Sequence, residues 1–249
     1  MQQQTHRVFP KKIYYTNNRL ENVQEQHLSI IISDELRAVA PNFTGGALLC
    51  QCPAAAAETP SSLWTLIEKE ADILRKEFDV LSVRERKGIR ETREAYRRAG
   101  IDPSRYRPSC EQLARRLLQG KDLFRVGLAV DLGNLVSLRT GCSVGVIDAD
   151  KVEGRKVVLG LGRDEEPYEA IGRGQLHILN MPVYRDIVGA FATPTSDSVR
   201  TSITPSTHSL LILINGYHGD NDAIREALAF TEGLLQDFGK TRDTDVWTF

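Results

Sequence analysis

The chain has 249 residues, 41% hydrophobic and 26% charged, with 19 Gly and 10 Pro, which excludes disordered and collagen-like classes. Its 32 Lys and Arg against 33 Asp and Glu leave a net charge of -1, so it is not a general coat for polyanions. No apolar run reaches the ~20 residues of a bilayer span, and the start MQQQTHRVFPKK lacks a signal-peptide core. A cytoplasmic protein with no membrane partner is therefore expected.

Residues 1–26 are polar and Gln/Asn-rich and are expected to form an extension outside the main domain. LSIII (28–32) predicts a buried strand, and Ser33 before Asp34 and Glu35 predicts the cap of a short helix. GALLCQC (46–52) predicts a second strand. After Pro60, Ser61 or Ser62 is positioned to cap a helix whose Leu63, Leu66, Ile67, Ala71, Leu74 and Phe78 recur at helical spacing. Ser82 with Glu85 predicts a capping box for one basic helix ending at Gly100, and Ser109 with Gln112 another for a helix ending at Gly120. A further helix is expected from about Asp131 to Arg139, closed by Gly141.

Beyond it the texture turns to strands: CSVGVI, RKVVLGLG, GQLHILN, IVGAFA and HSLLILIN, divided by Gly, Pro and Asp turns. A last helix is expected over 221–238, followed by a tail, 241–249. Helices in a block ahead of most strands predict an α+β fold with mixed sheets, and exclude a βαβ alternation. GLGRDE and GRGQ likewise lack the spacing of a dinucleotide-binding turn.

Four cysteines (Cys50, Cys52, Cys110, Cys142) and five histidines show no metal-ligand spacing, so no metal and no cofactor is expected. GCSVG (141–145) matches the G-x-S-x-G nucleophile elbow, and Asp186 and His208 follow in the right order. A helix precedes the motif and a strand follows it, the reverse of what the elbow requires, so Ser143 is read as structural. Charge is uneven: from Arg84 to Arg125 there are thirteen Lys or Arg and six acids. Either this segment is a phosphate-contacting face or its arginines pair with their own acids.

Three strings carry a resemblance: AYRRAGIDPSRYRPSCEQLARRLLQG, VDLGNLVSLRTGCSVGVIDADKVEG and RTSITPSTHSLLILI. Together, over roughly residues 28–240, the chain resembles a free-standing form of the editing and tRNA-binding (B3/B4) domain of the bacterial phenylalanyl-tRNA synthetase beta subunit. The resemblance implies one domain over 27–240 and a trans-editing hydrolase that removes a wrong amino acid from the 3′ end of tRNA. The alternative it leaves open is a tRNA- or RNA-binding module without chemistry; DNA is not an expected partner. Where the synthetase pattern reads Pro-x-His-x-Phe-Asp, this chain has Ser143-Val144-Gly145-Val146-Ile147-Asp148, with Gly145 at the histidine position.

By this resemblance Asn134, of Val-Asp-x-x-Asn, holds substrate or a water, or else ties its helix to a loop. Asp148 lines the pocket or serves a turn. Arg185 and Arg200, with Thr201, supply donors to the ester or the terminal adenosine, or else form surface ion pairs. Asp197 is the nearest candidate for an acidic pocket residue. Arg107, Arg115 and Arg116 are candidates for contacts to the tRNA backbone.

Overall fold

The computed structural model describes residues 28–249, so the expected extension at 1–26 lies outside the described residues. The protein is α+β, built as three layers: helices, a four-stranded sheet, and a second four-stranded sheet. Two short elements open it, β1 (Ser29–Ile32) and α1 (Asp34–Val39), where the Ser33 hydroxyl accepts from the Leu36 amide as expected. Then come β2 (Thr44–Gln51) and the helices α2 (Ser61–Glu77), α3 (Lys87–Arg98), α4 (Ser109–Leu118) and α5 (Leu128–Thr140). The strands β3 (Ser143–Asp148), β4 (Lys156–Leu161), β5 (Glu169–Ala170), β6 (Gly174–Gln175), β7 (Pro182–Arg185), β8 (Ala190–Ala192) and β9 (Ser209–Gly216) follow. The chain closes with α6 (Asn221–Leu234) and β10 (Arg242–Thr248).

The middle sheet has the order β10-β2-β9-β3, all antiparallel, and its heart is β9. The run LLILI reads as continuously apolar because β9 is covered on both faces. Leu210, Ile212 and Ile214 point to the helical layer, while Leu211 and Leu213 meet the outer sheet. Each such side chain contributes roughly 1.5–3 kcal/mol by leaving water. The outer sheet, β1-β4-β7-β8, joins β1 to β4 in parallel, a pairing that spans the whole helical block. No described helix is long and apolar enough to cross a membrane.

Three local expectations are corrected. Residues 82–100 do not form one helix: a turn of 3-10 helix (Ser82–Glu85) is separated from α3 by Arg86, whose backbone is extended. The reason is that Arg86 leaves the helix to donate to the carbonyls of Leu138 and Arg139 (2.6 and 2.8 Å), closing the end of α5. Ser61 and Ser109 are not caps: Pro60 and Pro108 hold the cap positions, with no side-chain bond, and Ser82 instead engages the Asp79 amide at 2.8 Å. The stretch read as a carboxy-terminal tail is β10, paired to β2 at the sheet edge.

The expected strands GQLHILN and IVGAFA also shrink, to β6 and β8. Asp186 Oδ1 accepts the amides of Val188 and Gly189 (2.9 and 3.1 Å), folding 186–189 into a turn that leaves Ile187 and Val188 exposed.

Candidate active site

A cavity of about 350 Å³ lies where α4, α5 and β3 meet the loops 193–197 and 202–203. Its size comes from how closely α5 approaches the sheet. A Cβ on Gly133 would stand 2.4 Å from Val146 Cγ2, so only glycine lets the helix sit this low on β3. That approach places the next residue, Asn134, in the wall. Among the described residues no side-chain hydrogen bond engages the Asn134 amide, which leaves its donor and acceptor available.

The wall is largely apolar, from Leu113, Val130, Val144, Val146 and Ile203. Asp197 also lines the cavity. Burial pushes its carboxyl up to about 7, against the Val146 backbone amide that would lower it. Gly145 faces this carboxylate: a Cβ there would lie 3.3 Å from Asp197 Oδ1. Any larger side chain at the position would occupy the same space as the acid. The loop carrying Asp197 is itself rigid, since Thr193 Oγ1 accepts the amides of Thr195 and Ser196 (3.1 and 3.0 Å) and the Asp197 carbonyl accepts the Ile171 amide at 2.9 Å.

The other sequence candidates fall elsewhere. Asp148 is buried and is not part of the cavity lining; it accepts from Thr207 Oγ1 at 2.6 Å, pairs with Lys151 at 3.1 Å and caps a single 3-10 turn. Thr201 is fully buried, its hydroxyl donating to the Phe191 carbonyl, although its neighbours Ser202 and Ile203 do reach the cavity. Arg185 and Arg200 share a second, more open cleft of about 790 Å³. There Arg185 forks Glu166 (2.7 and 2.6 Å) and Arg200 forks Asp186 (3.0 and 2.9 Å). Burial alone would raise both carboxyls, but these arginines and nearby backbone amides hold them below the usual carboxylate range. Arg107 lies 3.4 Å from Glu111, Arg115 donates to the Val80 carbonyl at 2.6 Å, and the Arg116 guanidinium sits 3.9 Å over the Phe124 ring. Thus Asn134 alone of the five catalytic candidates lines the smaller cavity.

Ser143 is not an exposed nucleophile. It is buried at the start of β3, its hydroxyl donating to Cys110 Sγ at 3.4 Å. It pairs with Asn215, seven residues along the strand direction from His208, roughly 20 Å away. The cysteines are equally inert. All four are buried, and burial pushes Cys50 and Cys110 up to about 12 and Cys142 to about 11, despite His218 Nε2 lying 3.7 Å from the Cys142 sulfur. Ellman's reagent is accordingly expected to titrate none of them in the native protein and all four in denaturant. Fast labelling of a native thiol would contradict this packing.

Residues 91–229 match the family model of the B3/4 domain, a stretch that contains Asn134, Gly145 and Asp197. The chain belongs to the B3/4 domain family. Among solved structures, this B3/4 protein is similar to an N-terminal fragment of the phenylalanyl-tRNA synthetase beta subunit from Pyrococcus horikoshii, at 11% identity and a TM-score of 0.44. The alignment covers 88% of the B3/4 chain and 50% of the fragment, so the chain spans about half the fragment's length. No curated protein matches it.

Proposed function

We propose that this B3/4 protein is an aminoacyl-tRNA deacylase that hydrolyses a wrongly attached amino acid from the 3′ end of tRNA. The observation that carries the reading is the cavity itself: apolar walls for a side chain, lined also by the unengaged Asn134 amide and by Asp197, whose carboxyl burial raises to about 7. At about 350 Å³ it lies at the small end of the roughly 300–1,000 Å³ of ligand pockets, suited to an aminoacyl group.

The chemistry needs little machinery, because an aminoacyl ester is already activated. The ionised Asp197 carboxylate takes a proton from water as its oxygen attacks the ester carbonyl carbon. The Asn134 amide N–H steadies the oxyanion that develops, a contact worth about 100- to 1,000-fold in rate. The carbon–oxygen bond to the ribose then breaks, and the proton held by Asp197 passes to the leaving ribose oxygen. Family membership and the cavity support a substrate delivered on tRNA; Arg107, just ahead of α4, and Arg116, on it, are half-buried and are assigned backbone contacts, whereas Arg115 is taken up by the Val80 carbonyl. Such a second sieve supplies discrimination between near-isosteric amino acids that one binding pocket cannot.

The test is release of labelled amino acid from a panel of tRNAs charged with non-cognate residues, including Tyr on tRNA for Phe, with EDTA present. Release from one or a few members, reduced by at least about 100-fold in Asn134→Ala, is the expected result. Salt-sensitive tRNA binding with no release from any member would instead leave a binding module without chemistry.

A further inference from the structure

The loop between α4 and α5, residues 119–127, is pinned at several points yet shows apolar groups to solvent. Leu123 is buried in the main core, the Val126 amide donates to Asp131 Oδ1 at 3.2 Å, and Arg116 Nε donates to the Asp122 carbonyl. Between these anchors Phe124 is 70% exposed and Val126 63% exposed. Val126 is also part of the cavity wall, so the loop forms one lip of its mouth. The Phe124 ring is held by Arg116 over one face, and Arg125 stacks on Trp64 with 4.7 Å between guanidinium carbon and ring centre. Over 115–127 the chain carries Arg115, Arg116, Lys121 and Arg125 against a single acid, Asp122.

A rigid, exposed aromatic among cations, beside a pocket that takes an aminoacyl group, matches one partner chemistry. We infer that the 119–127 loop is a stacking platform for the unpaired 3′ end of RNA, with a base laid on Phe124 and phosphates met by Lys121 and Arg125. The identity of the RNA as aminoacylated tRNA rests on the deacylase reading; the platform's own chemistry needs only a single-stranded 3′ tail. Stacking on an aromatic ring tolerates any base, because every base has a flat π face, and the nearby guanidinium adds a cation. Preorganisation helps: a loop already fixed by Leu123 and Asp131 loses little freedom when a tail docks.

The experiment compares two labelled hairpin RNAs, one ending in an unpaired 3′ tail and one trimmed blunt, by fluorescence anisotropy with the full chain. Wild type is expected to prefer the tailed hairpin. Phe124→Ala is expected to weaken tail binding by about 5- to 150-fold with the blunt hairpin unchanged, and Phe124→Trp to restore it. The Phe124→Ala salt slope should stay that of wild type, whereas Arg125→Ala should lower the slope by about one phosphate. Because Phe124 is exposed, its loss is expected to leave the melting temperature unchanged. Equal affinity of wild type for the two hairpins, or equal tail affinity of Phe124→Ala, overturns the platform. So does self-association of wild type that Phe124→Ala abolishes, which would make the patch a contact between copies. Deacylation with tail binding insensitive to Phe124 removes the platform and keeps the deacylase. Phe124-dependent tail binding without deacylation keeps the platform and removes the enzyme.

Discussion

Replacing Asp197 by asparagine is expected to abolish most deacylation and, at the same time, to make the folded protein more stable above neutral pH. The two effects have one cause. In the cavity the carboxyl is raised from its ordinary 3.8 to about 7, burial being the cause. Between about pH 4 and 7 the folded protein therefore holds a proton that the unfolded chain has lost. Stability from this group falls as pH rises through that window and is level above it. Asparagine cannot ionise, so the variant escapes the loss. Because Asp197 is half-buried and its charge partly screened, the gain at pH 8 is about 1–2 kcal/mol, and it vanishes near pH 4. The reaction, in contrast, requires the ionised form. Wild-type rate should climb from pH 5 to 7 and level off, while the variant falls roughly 100- to 10,000-fold. Urea titrations at pH 4 and 8, run beside single-turnover hydrolysis, measure both. A variant that is less stable at pH 8, or equally active, would remove Asp197 from the mechanism.

The second large effect concerns the support of the cavity. Arg93 and Glu111 form a buried pair at 2.8 Å, with side chains 8% and 2% exposed, and Arg93 also donates to the Pro103 carbonyl at 3.2 Å. Glu111 stands in the first turn of α4, the helix that gives Ser109, Gln112 and Leu113 to the cavity. Arg93→Met is expected to cost about 3–5 kcal/mol, toward the lower end because Arg107 remains 3.4 Å from the carboxylate. The loss comes from the stranded charge rather than from the missing bond. The double variant Arg93→Met, Glu111→Leu should therefore recover much of it, the opposite of additive behaviour. A single variant with the wild-type urea midpoint would mean that Arg107 alone holds Glu111.

This pair also explains how far the arginine count could be read. The surplus of cations between Arg84 and Arg125 is real in sequence, but Arg93 is buried, Arg86 closes α5, and Arg115 ties α4 to Val80. Charge counting cannot tell a guanidinium bound to a carbonyl from one awaiting a phosphate. The fold class was legible because a block of helical spacing gives way after Gly141 to short apolar runs divided by Gly, Pro and Asp turns; that LLILI is covered on both faces is seen only in the structure. Helix starts were less so: a serine after a proline has the composition of a cap, yet proline's fixed φ takes that place.

At the site, Asn134 was reachable from its motif, and Asp197 only as the nearest acid to a loosely matching segment. Arg185, Arg200, Asp148 and Thr201 sit beside apolar runs in sequence just as Asn134 does. What separates them is three-dimensional: each is engaged by a neighbour remote in the chain, such as Glu166, Asp186 or Thr207. Phe124 and Val126 gave no signal, because an apolar pair in a loop looks like core until its exposure is known.

The pairing of β1 with β4 and of β2 with β9 sets a timetable for synthesis. Ribosomes extend chains at about 5–20 residues per second, so β2, complete at Gln51, waits roughly 8–30 s for Ser209 to be made. During that interval the helices Ser61–Thr140 have been translated but have no β9 to lie on. The nascent chain thus displays β1 without a partner until Leu161 is made and β2 without one until β9, the state in which holding chaperones are most needed. Closure of the middle sheet waits for β9, the strand on which both β2 and β3 pair.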